Sequence, residues 1–265
     1  MTKNIWWGSF SFEQQEKKSW SIGDRSIVLK RDNNEWNSWN IETLDENNNE
    51  IVVSEHSDLL VEDNIEIGRY LASNKSNTIS VTPQLADKSI IARPASPLNI
   101  LAGERGQLFV STPVWFSAKT SPEGKPLIDL PFWRPSDSWI GASTIDGQLC
   151  YAKYTSAKTN FEDLDIRPHR AITPITVINN HHEALVINRI NVPVNYLYIY
   201  SDESNQLWTS SISIEKDNDA DGSDDVELII DKKSLHTSKS YNLVSNPRVS
   251  SEHGRLIRRI SNLFG

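Results

Sequence analysis

Two proline-anchored segments hold most of the residues in this chain whose types and spacing suit chemistry. They are Phe132-Trp133-Arg134-Pro135-Ser136-Asp137-Ser138-Trp139-Ile140-Gly141 and Arg167-Pro168-His169-Arg170-Ala171-Ile172-Thr173-Pro174. Proline fixes φ and holds such loops in one shape, and function concentrates on loops carried by a rigid scaffold. Arg134, Asp137, Arg167, His169 and Arg170 could converge into a planar, charge-assisted pocket for a carboxylate, a phosphate or a partner's polar groups. The bland alternative places the same residues in a structural polar network, with Trp133 and Trp139 in the core.

A second candidate is acidic. Asp217, Asp219, Asp221 and Asp225 stand at positions one, three, five and nine of a calcium-loop pattern, and Gly222 supplies the sharp turn. Leu228 occupies position twelve, where a bidentate glutamate belongs, and no flanking helix pair is evident. Ca²⁺ is therefore the one cofactor with a motif behind it, and a solvated acidic turn between two strands is the competing reading.

Nine tryptophans are many for 265 residues. Exposed rings in a sandwich lectin stack on sugars, whereas the ordinary role is core packing with each indole N–H finding a partner. His181 and His182 are neighbours in a turn-like run. On an extended backbone they point apart, so a shared metal is not expected. Cys150, the one cysteine, lies in a strand-like run and reads as a small packed side chain rather than a nucleophile. The chain contains no Gly-rich phosphate loop, Gly-x-Ser-x-Gly elbow, His-Glu-x-x-His or Cys-x-x-Cys. Two glycosidase carboxylates could still stand among the many acids.

The elements that must position these residues read as strands. Asparagine and aspartate clusters, which hydrogen-bond their own backbone and tolerate positive φ, separate β-rich runs at 26–31, 35–44 and 50–55. Further strands are predicted at 78–82, 106–118, 127–132, 172–179, 184–192, 206–215 and 226–230. Asp146-Gly147 predicts a two-residue hairpin between 139–145 and 148–156. In 195–200, Tyr196, Tyr198 and Tyr200 alternate with Leu197 and Ile199, the period of a strand. The expected fold is all-β: two packed β-sandwich-like domains, 1–135 and 136–232, followed by a linker and short helix over 233–265. In the tail, Leu256, Ile260, Leu263 and Phe264 share a helical stripe, with Arg255, Arg258 and Arg259 around it. Such a basic amphipathic helix would dock on a partner or cap the protein's own sheets.

The net charge of −8 argues against nucleic acid as a partner, which needs a basic face to displace counterions. No apolar run approaches the roughly 18–20 residues of a transmembrane helix, and the start has no apolar signal region. With a single cysteine, the simplest compartment is the reducing cytoplasm.

Five segments together carry a family resemblance. Pro97-Leu98-Asn99-Ile100-Leu101, Val110-Ser111-Thr112-Pro113-Val114-Trp115, residues 132–141, Gly147-Gln148-Leu149-Cys150-Tyr151 and residues 167–174, in that order, resemble the domain of unknown function 432 family over residues 85–230. The resemblance implies a cytoplasmic all-β protein with no established activity, so it carries over no catalytic residue. Some members are encoded near small mechanosensitive channels of the bacterial inner membrane. That neighbourhood implies an accessory protein docking peripherally on a channel's cytoplasmic side. The expectation is thus a non-catalytic interaction or regulatory module, and the alternative is a carbohydrate- or small-anion-binding sandwich, lectin or hydrolase.

Overall fold

The computed structural model describes the chain except for residues 1–4, 24, 43–50, 55–66, 73–76, 122–123, 125, 133–134, 142–144, 146, 218–224, 232–239, 251–254, 260–262 and 265. Among the described residues the regular elements are β-strands and two 3-10 turns, Phe161–Asp163 and Val194–Tyr196. The protein is all-β, in several sheets. Its strands are rich in Val, Ile, Thr and aromatic residues, which fit a pleated, half-buried surface.

The chain forms two compact units. The first comprises residues 1–84, 114–133 and 167–169. It contains a five-stranded antiparallel sheet in the order Ile51–Ser54, Lys17–Ile22, Arg25–Arg31, Glu35–Glu42, Ile67–Leu71. A four-stranded sheet runs Gly8–Ser11, Thr78–Gln84, Trp115–Lys119, Ile128–Pro131. Aromatic rings from the two sheets meet edge to face: Phe10 and Phe116 lie 5.0 and 5.3 Å from Trp20. Trp6, Trp20 and Trp36 are fully buried. Most of the tryptophan excess in this unit is therefore core.

The second unit comprises residues 85–113, 134–166 and 170–265. Its spine is the antiparallel pairing of Arg105–Pro113 with Arg170–Asn179, continuous from Arg105↔Ile178 to Pro113↔Arg170. This ladder belongs to a twelve-stranded sheet, and Leu98–Ile100 and Leu185–Ile187 form a small separate pair. The predicted strand over 106–118 breaks at Val114, between Arg105–Pro113 and Trp115–Lys119. Proline at the end of the first strand has no N–H to continue a ladder, and the chain passes from one unit to the other at this point.

Three sequence expectations are corrected. Residues 195–200 are not one strand: Tyr196 N–H bonds Pro193 O and Leu197 N–H bonds Val194 O, closing a 3-10 turn before the strand Ile199–Ser201. The hairpin around Asp146-Gly147 has a longer loop, because Ile140 pairs with Gln148 and residues 141–147 connect them. The tail over Arg255–Arg259 is a strand rather than an amphipathic helix. It pairs antiparallel with Asp225–Ile229, Leu256 opposite Leu228. A short isolated helix is marginal in water, whereas an open sheet edge offers a full row of backbone partners.

Candidate functional site

The site assembles on two antiparallel strands of the second unit, Asp137–Ile140 and Gln148–Lys158. Their register sets Asp137 opposite Tyr151, Ser138 opposite Cys150 and Trp139 opposite Leu149. Successive side chains on a strand alternate faces. The inward phase carries Ile140 and Cys150, fully packed with Ile91. The outward phase carries Trp139 and Leu149, 43% and 49% exposed. Ile145, in the connecting loop, is 90% exposed. Three large apolar side chains are thus presented on one hairpin, which is where exposed apolar surface acquires meaning.

The indole of Trp139 is held in place. A methyl group placed on Gly147 would lie 2.1 Å from Trp139 Nε1 and 2.4 Å from Cε2. Only glycine leaves room for the ring to lean diagonally across the hairpin. Covering a glycine at a strand's edge with an aromatic neighbour is also a structural device in its own right. The ring serves the hairpin with one side while part of its surface remains exposed.

Beside this apolar group lies a compact polar one. Lys88 Nζ donates to Asp137 Oδ1 at 3.1 Å and stands 4.7 Å from the centre of the Tyr151 ring. Tyr151, itself buried, donates its hydroxyl to Asp87 Oδ1 at 2.9 Å. The hydrogen bond to Asp137 pushes Lys88 above its ordinary value, with weaker help from Tyr151 and Asp87 against the cost of burial. Backbone bonds place the group, Tyr151 N–H to Ser89 O at 2.8 Å and Ala152 N–H to Ser136 O at 2.9 Å. Asp87 and Asp137 are exposed, so among the described residues of this polar group two carboxylates stand against one ammonium.

The sequence matches a family model described as Protein of unknown function (DUF432) over residues 6–263. The chain belongs to this family. Membership thus extends well beyond the residues that carry the resemblance, into the first eighty and the tail. No curated protein matches the chain, and no solved structure does.

The remaining sequence-predicted residues of this DUF432 chain are distributed as follows. Arg134 lies outside the described residues. Arg167 and His169 belong to the first unit, Asp137 and Arg170 to the second. His169 is buried, with a ring 6.1 Å from Phe132 and so close to Gly23 that a methyl there would meet Cε1 at 2.9 Å. Its segment clasps the first unit through Trp6 Nε1–H to Pro168 O at 3.2 Å and Val114 N–H to His169 O at 3.0 Å. Arg170 turns to Ser111, donating from Nε to Oγ at 2.9 Å and from Nη2 to the carbonyl. Within the second unit Asp137 bonds Lys88 and Arg170 bonds Ser111.

Of the acidic loop, Asp217 accepts a hydrogen bond from Asn180 Nδ2 at 2.8 Å, while Asp219 and Asp221 lie outside the described residues. Asp225 begins a strand, paired with Arg259. Among the described residues no three His, Cys, Asp or Glu side chains are grouped to hold a metal. The rings of His181 and His182 do not point apart: a bend brings their centres to 4.0 Å. His181 Nδ1 accepts the Glu183 N–H at 3.1 Å, which leaves the proton of the neutral ring on Nε2. Of the expected partner helix, Arg255, Leu256, Arg258 and Arg259 are in the edge strand, Ile260 lies outside the described residues, and Phe264 is buried. Burial also pushes the Cys150 thiol up, with Arg189 pulling weakly the other way, so the thiolate is disfavoured.

Leu149, Ile145, Lys88, Asp87 and Tyr151 are the site residues that sequence reasoning missed. The available signal was the phase of alternation: Ile140 and Cys150 are apolar on one phase, and Trp139 and Leu149 share the other. A two-residue turn at Asp146-Gly147 would have set Trp139 opposite Tyr154, and that wrong register hid the pairing.

Proposed function

We propose that this DUF432 protein is a non-catalytic interaction module whose contact surface is the Trp139–Leu149 face of the second unit. The observation that carries this reading is the outward apolar pair Trp139 and Leu149, bordered by the Asp137–Lys88 ion pair, with Ile145 exposed in the connecting loop. Interface hot spots are enriched in tryptophan and tyrosine, set in an apolar centre with a polar rim. The setting implied by the resemblance is the cytoplasm, peripherally at an inner-membrane channel of mechanosensitive type. No helix among the described residues is long and apolar enough to cross a membrane, which accords with a peripheral role for those residues. The same reading takes each unit as sandwich-like, and the meeting of Phe10, Phe12 and Phe116 with Trp20 and Trp36 supports this for the first unit. The contact surface thus shifts away from His169, Arg170 and the tail toward Asp137 and Trp139.

The test is affinity capture of the tagged protein from gently solubilised source cells, run beside Trp139→Ser and Leu149→Ser variants shown to be folded by near-UV circular dichroism. One partner retained by the native chain and lost by both variants is the expected outcome. A partner retained by both would move the contact surface elsewhere.

The exposed indole favours a second reading as well. A ring lying across a glycine, with Asp137 two residues away on the same face, suits stacking on a sugar with a carboxylate accepting a hydroxyl. A glycan array reads this directly: a hit abolished by Trp139→Ser, together with an empty capture, would install the lectin reading in place of the first.

A further inference from the structure

We infer that the partner segment received by the Trp139–Leu149 face is protein, with an aliphatic or aromatic side chain flanked by lysine or arginine. This rests on the interaction-module reading above and adds the chemistry of its partner. The apolar centre asks for a large apolar side chain: Trp139 and Leu149, opposite each other, are 43% and 49% exposed. The rim decides what must flank it. Among the described residues bonded here, Asp87 and Asp137 present two carboxylates, and Lys88 between them supplies one ammonium, which bonds Asp137 and stands over the Tyr151 ring. The border is therefore net anionic, on a chain whose net charge is −8.

The other occupants fit less well. An anionic bilayer would also accept Trp, Ile and Leu, but its surface repels both the two carboxylates and the chain as a whole. A second copy would bring two anionic rims and two −8 chains together. A basic segment meets complementary charge at the rim and the apolar centre at once, and charge of that sign also steers encounter.

The experiment is selection from a random-peptide phage library on the full-length protein, followed by fluorescence anisotropy of the enriched peptides. The expected peptides place a Leu, Ile, Val or aromatic residue between basic ones. Their affinity falls steeply as salt shortens the Debye length from about 10 Å to about 3 Å. Asp137→Asn also loosens Lys88 beside the incoming charge, and is expected to weaken binding by about tenfold, the magnitude of one well-placed charge pair. Trp139→Ser should abolish binding, and Leu149→Ser provides an independent check should the indole prove necessary for the hairpin.

Enriched peptides with neutral or acidic flanks, still dependent on Trp139, would overturn the basic-segment inference and leave the interaction reading standing. Peptides indifferent to both Trp139 and Leu149 would overturn both. Binding to vesicles of phosphatidylglycerol, or a concentration-dependent dimer lost with Trp139→Ser, would replace the basic segment by a membrane or by a second copy.

Discussion

Two glycines leave no room for a methyl group, Gly23 beside the His169 ring and Gly147 beside the Trp139 indole. Gly23 has φ of +63° and faces the His169 ring, so Gly23→Ala meets both backbone strain and a contact of 2.9 Å. Gly147→Ala would put its methyl 2.1 Å from Trp139 Nε1 and 2.8 Å from the Ile140 carbonyl. Each should cost about 1–3 kcal/mol in urea denaturation. Only the second should also weaken partner binding, because it displaces the indole. Titration is legible at this scale too. The hydrogen bond from Lys30, 2.9 Å away, holds Asp32 below its ordinary 3.8, more than burial raises it. The folded state then binds fewer protons than the unfolded one in acid. That stability is present above 3.8 and lost as pH falls through the lowered folded value. Asp32→Asn should flatten the acid limb of the stability profile, as read from urea midpoints against pH. Burial raises Cys150 above 9.0 and Tyr241 above 10.0. There the unfolded chain ionises first, so the contribution is intact below those values and lost as pH climbs past them. Cys150→Ala should remove the portion that begins near 9.0.

At the scale of elements, the tail is where local pattern and tertiary context part. Leu256, Ile260, Leu263 and Phe264 satisfy a helical stripe, but Arg255–Arg259 extends along Asp225–Ile229 instead. Val226 and Leu228 are buried in that strand, and its outer row of backbone groups needs a partner. Removing residues 251–265 should expose that row and also delete the buried Leu263 and Phe264. The melting temperature should fall, and amides over 226–229 should lose hydrogen-exchange protection while those of Arg105–Pro113 keep theirs. Unchanged protection at 226–229 would mean that the outer strand is dispensable. Elsewhere alternation and turn chemistry served well. Runs such as Arg25–Arg31, Glu35–Glu42, Thr78–Gln84 and Arg170–Asn179 were legible as strands, because period two and β-branched content are local signals. Residues 195–200 had the same alternation and still turned, because Pro193 begins a 3-10 turn that the pattern does not register.

For the whole molecule, the path of the chain matters more than any boundary along it. The chain crosses between the two units at 84/85, 113/114, 133/134, 166/167 and 169/170. The longest ladder of the second unit joins Arg105–Pro113 to Arg170–Asn179. A fragment of residues 136–232 lacks the first of these strands and also Ile90–Pro94. It should fail to fold, with no dispersed amide spectrum, whereas co-expression with residues 1–135 should restore one. An independently folded 136–232 fragment would show that the spine is not required. The sequence by itself determined the β class, the acidic character and most strand positions, since alternation, turn residues and charge are read from neighbours along the chain. It also marked Asp137 as a residue to watch. Only the tertiary structure decided that Trp139 faces outward beside Leu149, that His169 is packed against Gly23 and that Arg170 serves Ser111. Each of these depends on register or on a partner far away in sequence. A shift of one residue turns a strand's faces over, and no local pattern records which strand edge a tail will find.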